Sequence, residues 1–300
     1  MGNLRLAASK EVRPISRVLG PAATPPRCGV EHEYRVLDAA GPVDFRELIH
    51  TLDIRGRRLD PADANAYRCG WGGALTVDGR EAEIATPPIA LERGFADRVV
   101  ESTEQGRVCL LTALPPGLRI EGYSTHLNVS VAEDRVLGAA RLFAPRFAVG
   151  LMLLMDGRNS PGLLVRPRPG RLELGGEFIR GDGLRAAILM ATGAALACSR
   201  RGAAIRRLPP RIDAASVPAV ERFGTFLDRR AFGADLYGLG RSCPLRTVES
   251  RSRTAQQHLE DCWRVARAHV RRIATENDLQ LVDDLVAGRL PLPTEVDGRE

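Results

Sequence analysis

Two glutamates stand two residues apart in the segment Gly29–Val36, which reads G-V-E-H-E-Y-R-V. Side chains alternate between the two faces of a β-strand, so Glu31 and Glu33 are expected on one face and His32 and Tyr34 on the other. Two neighbouring carboxylates repel each other unless a cation lies between them. Magnesium prefers oxygen ligands, so the spacing predicts a metal site on the first face and packing residues on the second.

Three later segments show the same alternation of apolar and polar residues. Leu75–Val77 and Arg80–Thr86 are interpreted as a hairpin closed by a type I′ turn at Asp78-Gly79, and Pro87-Pro88 ends its second strand. The other two segments read Y-S-T-H-L-N-V-S-V and R-L-E-L. The predicted polar faces carry Glu81, Glu83, Ser124, His126, Asn128, Ser130, Arg171 and Glu173, and the predicted apolar faces carry Ala82, Ile84, Tyr123, Thr125, Leu127, Val129, Val131, Leu172 and Leu174.

Four strands of this kind predict an α+β fold. The expected architecture is an antiparallel sheet whose polar side forms an active-site bowl, with helices packed on the other face. Apolar periodicity and helix-end signals, including Asp182 as an N-cap, predict the helices. They are expected at 89–114, 134–155, 182–199, 217–232, 247–275 and 277–287.

Domain organisation follows from the position of these elements. Residues 1–26 end in a Pro-rich stretch and are predicted to be an N-terminal arm or linker. The remainder, 27–300, is predicted to be one catalytic domain with C-terminal helices, because neither a repeat nor a low-complexity segment divides it.

Composition excludes several kinds of chemistry. Lys10 is the only lysine among 43 basic residues, so a phosphate-binding lysine of the P-loop or kinase type is excluded from the predicted domain. The six cysteines form no C-x-x-C pair, which argues against zinc and favours reduced thiols in the cytoplasm. The most apolar run, Phe147–Met155, is too short to span a bilayer and is interpreted as a buried helix.

The four motifs G-V-E-H-E-Y, E-I-A-T-P-P, S-T-H-L-N-V-S and R-L-E-L, in this order, resemble the active-site strands of the carboxylate–amine ligases. Within the glutamine synthetase superfamily they are most similar to the second type of glutamate–cysteine ligase, and the Pup ligases and other amidoligases share related motifs. The resemblance spans roughly residues 27–190. It implies a glutamine synthetase-like catalytic domain that uses ATP to join a carboxylate, such as that of glutamate, to an amine through an acyl phosphate.

The resemblance also implies roles for particular residues. The metal ligands would be Glu31, Glu33, Glu83, His126 and Glu173. The catalytic residues that contact the transferred phosphate would be Arg158, Arg166, Arg168 and Arg171, of which Arg158 and Arg171 would bind the nucleotide together with Asn128. The resemblance implies that Arg158, Arg166 and Arg168 lie in a loop before the R-L-E-L strand.

One position departs from the pattern of the family. The superfamily often continues R-x-E-x-R, whereas this chain has Gly175 in place of the second arginine. Arg180 could replace it, or catalysis could be altered or lost. Two interpretations therefore stay open: an active ligase, and a degenerate member of the fold that binds nucleotide or peptide without turnover.

The expected cofactors are ATP and Mg²⁺, with Mn²⁺ as an alternative metal. The expected partners are a small-molecule carboxylate and amine, with no nucleic acid and no membrane, and a homo-oligomer is left open. A nucleic-acid-binding protein is suggested by the net charge of +6 alone and is disfavoured because aromatic residues make up only 5% of the chain.

Overall fold

The computed structural model describes residues 25–200, 202–215, 217–218 and 224–295. All but the last two residues of the predicted arm, 1–26, lie outside the described residues. The expected α+β class is confirmed, because a large antiparallel sheet is combined with helices.

Within the described residues the sheet contains twelve strands rather than the four that alternation predicted, and every strand pair in it is antiparallel. Its strand order is β11-β12-β9-β10-β8-β1-β6-β5-β4-β3, with β2 and β7 also paired to β1, and β13 and β14 form a separate hairpin. The strands are β1 (Arg27–Leu37), β2 (Pro42–Val43), β3 (Gly56–Arg58), β4 (Tyr67–Cys69), β5 (Ala74–Asp78), β6 (Glu81–Ala85), β7 (Ile89–Ala90), β8 (Arg119–Ser130), β9 (Gly162–Arg168), β10 (Arg171–Glu177), β11 (Val217–Pro218), β12 (Thr225–Asp228), β13 (Pro244–Arg246) and β14 (Ser252–Thr254).

The helices form layers on the apolar face of the sheet. They are α1 (Phe45–Leu48), α2 (Phe95–Ala113), α3 (Val136–Met155), α4 (Gly181–Cys198), α5 (Leu236–Leu239), α6 (Ala255–Val270) and α7 (Glu276–Val286). Helix α3 packs on β9 and β10, α4 on β8, and α2 on β1 and β6, while α6 and α7 pack on α4 from behind. Leu127 and Leu174, on the predicted apolar faces, are fully buried in the main core with these helices. Packing of the helices on the apolar face therefore fixes the strands that carry the polar face.

One described segment, Glu133–Met155, matches a membrane span in length and apolar composition, and two thirds of it is buried inside the protein. It contains α3, whose last nine residues are all buried. The prediction of a buried helix over Phe147–Met155 is therefore confirmed.

The C-terminal part differs from the predicted helices. In place of a helix over 217–232, β11 and β12 extend the sheet at the edge of β9, where Thr225 pairs with Val165. In place of one helix over 247–275, the chain forms the β13–β14 hairpin before α6 begins at Ala255. In both places backbone hydrogen bonds to a neighbouring strand outweigh local helical periodicity.

Helix starts also differ by a few residues. Helix α2 begins at Phe95 rather than near 89, because Gly94 takes a left-handed conformation (φ 76°) and Ile89 belongs to β7. Helix α4 has Arg180 as its N-cap, and Asp182 lies in the first turn, where its charge still favours the helix dipole.

Two local features of the sheet were predicted incorrectly. The β5–β6 turn has Gly79 and Arg80 between the paired residues Asp78 and Glu81. Since only Gly79 has a positive φ, the turn matches type II′ rather than type I′. On β8 a bulge opposite β1 removes Tyr123 from the apolar face, and its ring instead lies 4.4 Å from the Arg35 guanidinium carbon.

Helices α4 and α6 touch where Gly193 meets the backbone of Ala266, and an added Cβ at 193 would overlap the Ala266 carbonyl. We expect Gly193→Ala to destabilise the protein by about 1–3 kcal/mol, because the helices would have to separate. Gly138→Ala is the matched control: this exposed glycine of α3 has open space around it, so the change should stabilise by about 0.5–1 kcal/mol. Denaturant unfolding of both variants checks this, and equal midpoints would contradict the close packing.

Candidate active site

The polar face takes its shape from β1, which lies between β8 and β6. His32 and Tyr34 are buried and their rings pack against Phe178, so the glutamates that alternate with them point to the other face. Burial lowers the pKa of His32 to about 3, which keeps the ring neutral and agrees with its predicted packing role. Pairing of β1 with β6 sets Glu33 directly opposite Glu83.

A third acid joins this pair through the β5–β6 hairpin. Asp78 ends β5, and the carboxylates of Glu33, Asp78 and Glu83 each offer an oxygen within 4.8 Å of the others. We call these three residues the acidic group. Glu33 is buried, Glu83 half-buried and Asp78 exposed, so the group opens to solvent at Asp78. The sequence interpretation missed Asp78 because it assigned this residue to the turn, although its position opposite Glu81 would have indicated the polar face.

Electrostatic repulsion within the acidic group is visible in its pKa values. Burial raises the pKa of Glu83, and the carboxylates of Glu31, Glu33 and Asp78 raise it further, to about 8. Burial also raises the pKa of Glu33, although the hydrogen bond from Ser124 opposes the shift. Without a cation the group therefore retains protons near neutral pH. Three clustered carboxylates are a donor set that fits Mg²⁺ or Mn²⁺.

The raised pKa of Glu83 predicts a pH-dependent stability. In metal-free buffer the folded protein keeps a proton on Glu83 that the unfolded chain releases above pH about 4.5, so stability should fall as pH rises from about 4.5 to about 8. Glu83→Gln should therefore melt higher than the parent protein at pH 8 and at nearly the same temperature at pH 4.5. Thermal melts in EDTA across this range measure the effect.

Glu81→Gln is the matched control, since it removes the same charge from the same strand outside the acidic group. If Glu81→Gln raised the melting temperature at pH 8 as much as Glu83→Gln does, the effect would come from general surface charge and not from the acidic group.

Two residues of β8 contact the glutamates of β1. Ser124 Oγ donates a hydrogen bond to Glu33 Oε2 at 2.6 Å. The His126 ring lies between the glutamates, with Nδ1 3.4 Å from Glu31 Oε2 and Nε2 3.9 Å from Glu33 Oε1. Burial opposes charge on both His126 and Glu31, but their hydrogen bond and the neighbouring charges together outweigh it, raising the pKa of His126 and lowering that of Glu31. When His126 is protonated these two residues form an ion pair, and ligation through the ring would require that proton to leave.

The third predicted acid strand, β10, carries a carboxylate surrounded by arginines. Glu173 Oε1 lies 3.1 Å from Arg166 Nη1, and Glu173 Oε2 lies 3.1 Å from Arg168 Nε and 3.8 Å from Arg171 Nη2. Arg171 Nε also donates to Asn128 Oδ1 at 2.7 Å. We call Arg166, Arg168 and Arg171 the arginine group. Arg166 and Arg168, predicted in a loop, belong to β9, whose register sets Arg166 opposite Glu173 and Arg168 opposite Arg171.

The structure brings all the predicted metal-ligand residues to one side of the sheet, in two clusters. Glu33 and Glu83 belong to the acidic group with Asp78. Glu31, His126 and Glu173 form the second cluster, in which one ligand atom of each residue lies within 4.8 Å of the others.

A cleft of about 1420 Å³ opens on this face, and Glu33 and His126 line it. Arg158, which was predicted with the arginine group, lines the cleft separately and donates from Nε to the Thr294 carbonyl at 2.8 Å. The cleft is rich in positive charge. The arginines that line it are Arg35, Arg107, Arg119, Arg158 and Arg180.

Gly175 also lines the cleft, at the position where the family pattern has an arginine. It pairs with His126 across β10 and β8, and a Cβ at 175 would lie 2.9 Å from His126 Cδ2. The histidine ring therefore occupies the space that a side chain at 175 would need. Arg180, the suggested replacement, reaches the same cleft.

No family model matches the chain, and no curated protein matches it. Several solved structures are similar to it, among them two of the Pup ligase PafA. The complex between the prokaryotic ubiquitin-like protein Pup and its ligase PafA has 10% sequence identity and a TM-score of 0.47, with 88% of this chain and 62% of that chain covered. The Pup ligase PafA in complex with ADP has 12% identity and a TM-score of 0.45, with 81% and 61% covered. This chain thus spans about three fifths of the length of those chains.

Proposed function

We propose that this protein is an ATP-dependent ligase that joins a carboxylate to an amine through an acyl phosphate. One observation carries the proposal: a single sheet face holds an acidic group suited to a divalent cation beside an arginine group suited to phosphate oxygens. Phosphoryl transfer requires this combination, because a cation and fixed positive groups must together neutralise the phosphate charge. The motif resemblance to the carboxylate–amine ligases supports the same reaction class.

The acidic group would hold the cation, with Glu31 and His126 adjacent to it. Bound Mg²⁺ or Mn²⁺ would supply charge neutralisation at the phosphate oxygens of ATP. Ser124 fixes one oxygen of Glu33 through its hydrogen bond. The chain thereby keeps a buried carboxylate in one orientation before any ligand arrives, which is the usual source of catalytic preorganisation.

The arginine group and Arg158 would bind phosphate oxygens. A guanidinium donates two parallel hydrogen bonds and stays charged at every relevant pH, so it can stabilise the transferred group without a lysine. The substrate carboxylate oxygen would attack the γ-phosphorus and release ADP. The amine nitrogen would then attack the acyl carbon and displace phosphate, and its proton would pass to a carboxylate of the polar face.

The identity of the substrates is the finer part of the proposal. Glutamate and an amino acid amine are what the motif resemblance favours. A cleft of about 1420 Å³ exceeds the range of about 300–1,000 Å³ that is usual for one small ligand. It therefore has room for the nucleotide and a larger carboxylate substrate, so a peptide side chain is a second candidate.

Gly175 favours one alternative function, a protein that binds nucleotide without turnover. Losing an arginine that neutralises phosphate would cost about 3–4 kcal/mol of transition-state stabilisation unless another group replaces it. Arg158 and Arg180 line the same cleft and are the proposed replacements. The retained acidic group argues for activity, because clustered carboxylates destabilise the sheet and serve no packing purpose.

The proposal predicts ADP release that depends on Mg²⁺ and on a matching pair of substrates. The purified protein is supplied with Mg-ATP, a panel of amino acids and glutamate-containing peptides as carboxylates, and a panel of amines, and ADP and amide are followed by mass spectrometry. Glu33→Ala should abolish the product. It should melt at the same or a higher temperature without Mg²⁺, because one repelling charge is gone, and should lose the stabilisation that Mg-ATP gives the parent protein.

Glu81→Ala is the matched control and should keep both activity and the Mg-ATP shift. Tight ATP binding with no ADP from any pair would establish the binding-only alternative. A Glu33→Ala protein whose Mg-ATP shift equals that of the parent would exclude Glu33 as a ligand.

A second prediction concerns the departure at Gly175. Gly175→Arg restores the pattern of the superfamily, yet it should lower activity about tenfold or more, because the new side chain would push His126 from its place between Glu31 and Glu33. Steady-state ADP release measures the effect. Gly138→Arg adds the same charge on an exposed helix face and should leave activity unchanged, and a faster Gly175→Arg enzyme would contradict the argument.

A further inference from the structure

The two clusters on the polar face differ in the charge that surrounds them. In the acidic group three carboxylates lie together and raise one another's proton affinity. In the second cluster the carboxylates of Glu173 and Glu31 meet three guanidinium groups, which leaves a formal surplus of one positive charge before any charge on His126 is counted. A cation is attracted to the first arrangement and repelled by the second.

Both carboxylate oxygens of Glu173 are already engaged in ion pairs. The residue is 2% exposed, and both of its oxygens are within 3.1 Å of a guanidinium nitrogen, one from Arg166 and one from Arg168. Ligating a metal through these oxygens would require Glu173 to give up its contacts with Arg166, whose side chain is only 16% exposed, and with Arg168. Breaking such a largely buried ion pair is unfavourable.

The register of β9 and β10 shows how this arrangement is built. Arg166 stands directly opposite Glu173, and Arg168 stands opposite Arg171 in the next pair on the same face. Asn128 accepts from Arg171 and so fixes the third guanidinium. Arg168 and Arg171 keep 36% and 38% of their side chains exposed, so they remain open to a ligand above the sheet.

We propose that Glu173 is a positioning residue and not a metal ligand: it gathers Arg166, Arg168 and Arg171 into a preorganised site for phosphate oxygens. The identification of that anion as the phosphoryl group of the nucleotide rests on the proposed function. The anion site itself rests only on the contacts of Glu173. The cation then belongs to the acidic group, and the two charges of the reaction are bound by separate parts of the sheet.

Direct binding measurements test this inference without turnover. The probes are Mn²⁺ alone, followed by electron paramagnetic resonance, and inorganic phosphate in EDTA, followed by calorimetry. Glu173→Gln should bind Mn²⁺ within about twofold of the parent protein and bind phosphate at least about fivefold more weakly, since the guanidinium groups lose their fixed orientation. Glu33→Gln is the matched control and should lose Mn²⁺ binding by about tenfold or more while keeping phosphate binding.

The direction of each change decides the role of Glu173. Loss of Mn²⁺ binding equal to that of Glu33→Gln would make Glu173 a metal ligand and overturn the inference. Tighter phosphate binding by Glu173→Gln would make it a simple counter-ion that phosphate displaces, which also overturns it. If the parent protein binds phosphate but no Mn²⁺, the cation site of the proposed function is excluded. The anion site is still supported in that case if Glu173→Gln binds phosphate more weakly than the parent.

Arg166→Lys provides a second test should Glu173→Gln fail to fold. It keeps the charge beside Glu173 and removes the two-pronged guanidinium geometry. Weaker phosphate binding with unchanged Mn²⁺ binding supports the inference, and unchanged phosphate binding overturns it.

Discussion

The register of β1 between β8 and β6 is the constraint on which the polar face depends. It sets Glu31 opposite His126 and Glu33 opposite both Ser124 and Glu83. Because side chains on a strand alternate with a period of two, a slip of one residue would turn every one of these acids into the core. The ring cluster of His32, Tyr34 and Phe178 on the other face opposes such a slip, since a slip would move His32 and Tyr34 away from Phe178 and onto the polar face.

The helices packed on the apolar face stabilise the fold enough to offset the repulsion between the clustered charges. Helices α3 and α4 are mostly buried and pack on the strands that carry Glu173 and His126. This apolar layer stabilises the sheet independently of the polar face, where like charges repel. The acids can therefore be held close together before a cation arrives. A bound cation would then reduce the repulsion between their carboxylates.

Sequence alternation predicted the two-faced strands and most of the acid positions, because period-two patterning is a local property. It missed Asp78, whose place on the polar face depends on the hairpin register, and it misplaced Tyr123, which a bulge moves out of the apolar row. The family resemblance also assigned Arg166 and Arg168 to a loop, whereas both belong to β9. Pro167 is compatible with β9 since it lies beyond the part of that strand that pairs with β12, so its missing N–H costs no hydrogen bond there.

The exchange of an arginine for Gly175 is best understood together with the position of His126. The two residues pair across β8 and β10, and the ring fills the volume beside the glycine. The departure therefore need not be a loss. A glycine lets the imidazole lie between two glutamates of β1, next to the cleft. In the proposed function, positive charge for a phosphate would come from β9 and from the cleft wall instead. Moving the guanidinium to a neighbouring strand keeps the charge balance of the face, because what an anion requires is the position of the positive groups and not the strand that carries them.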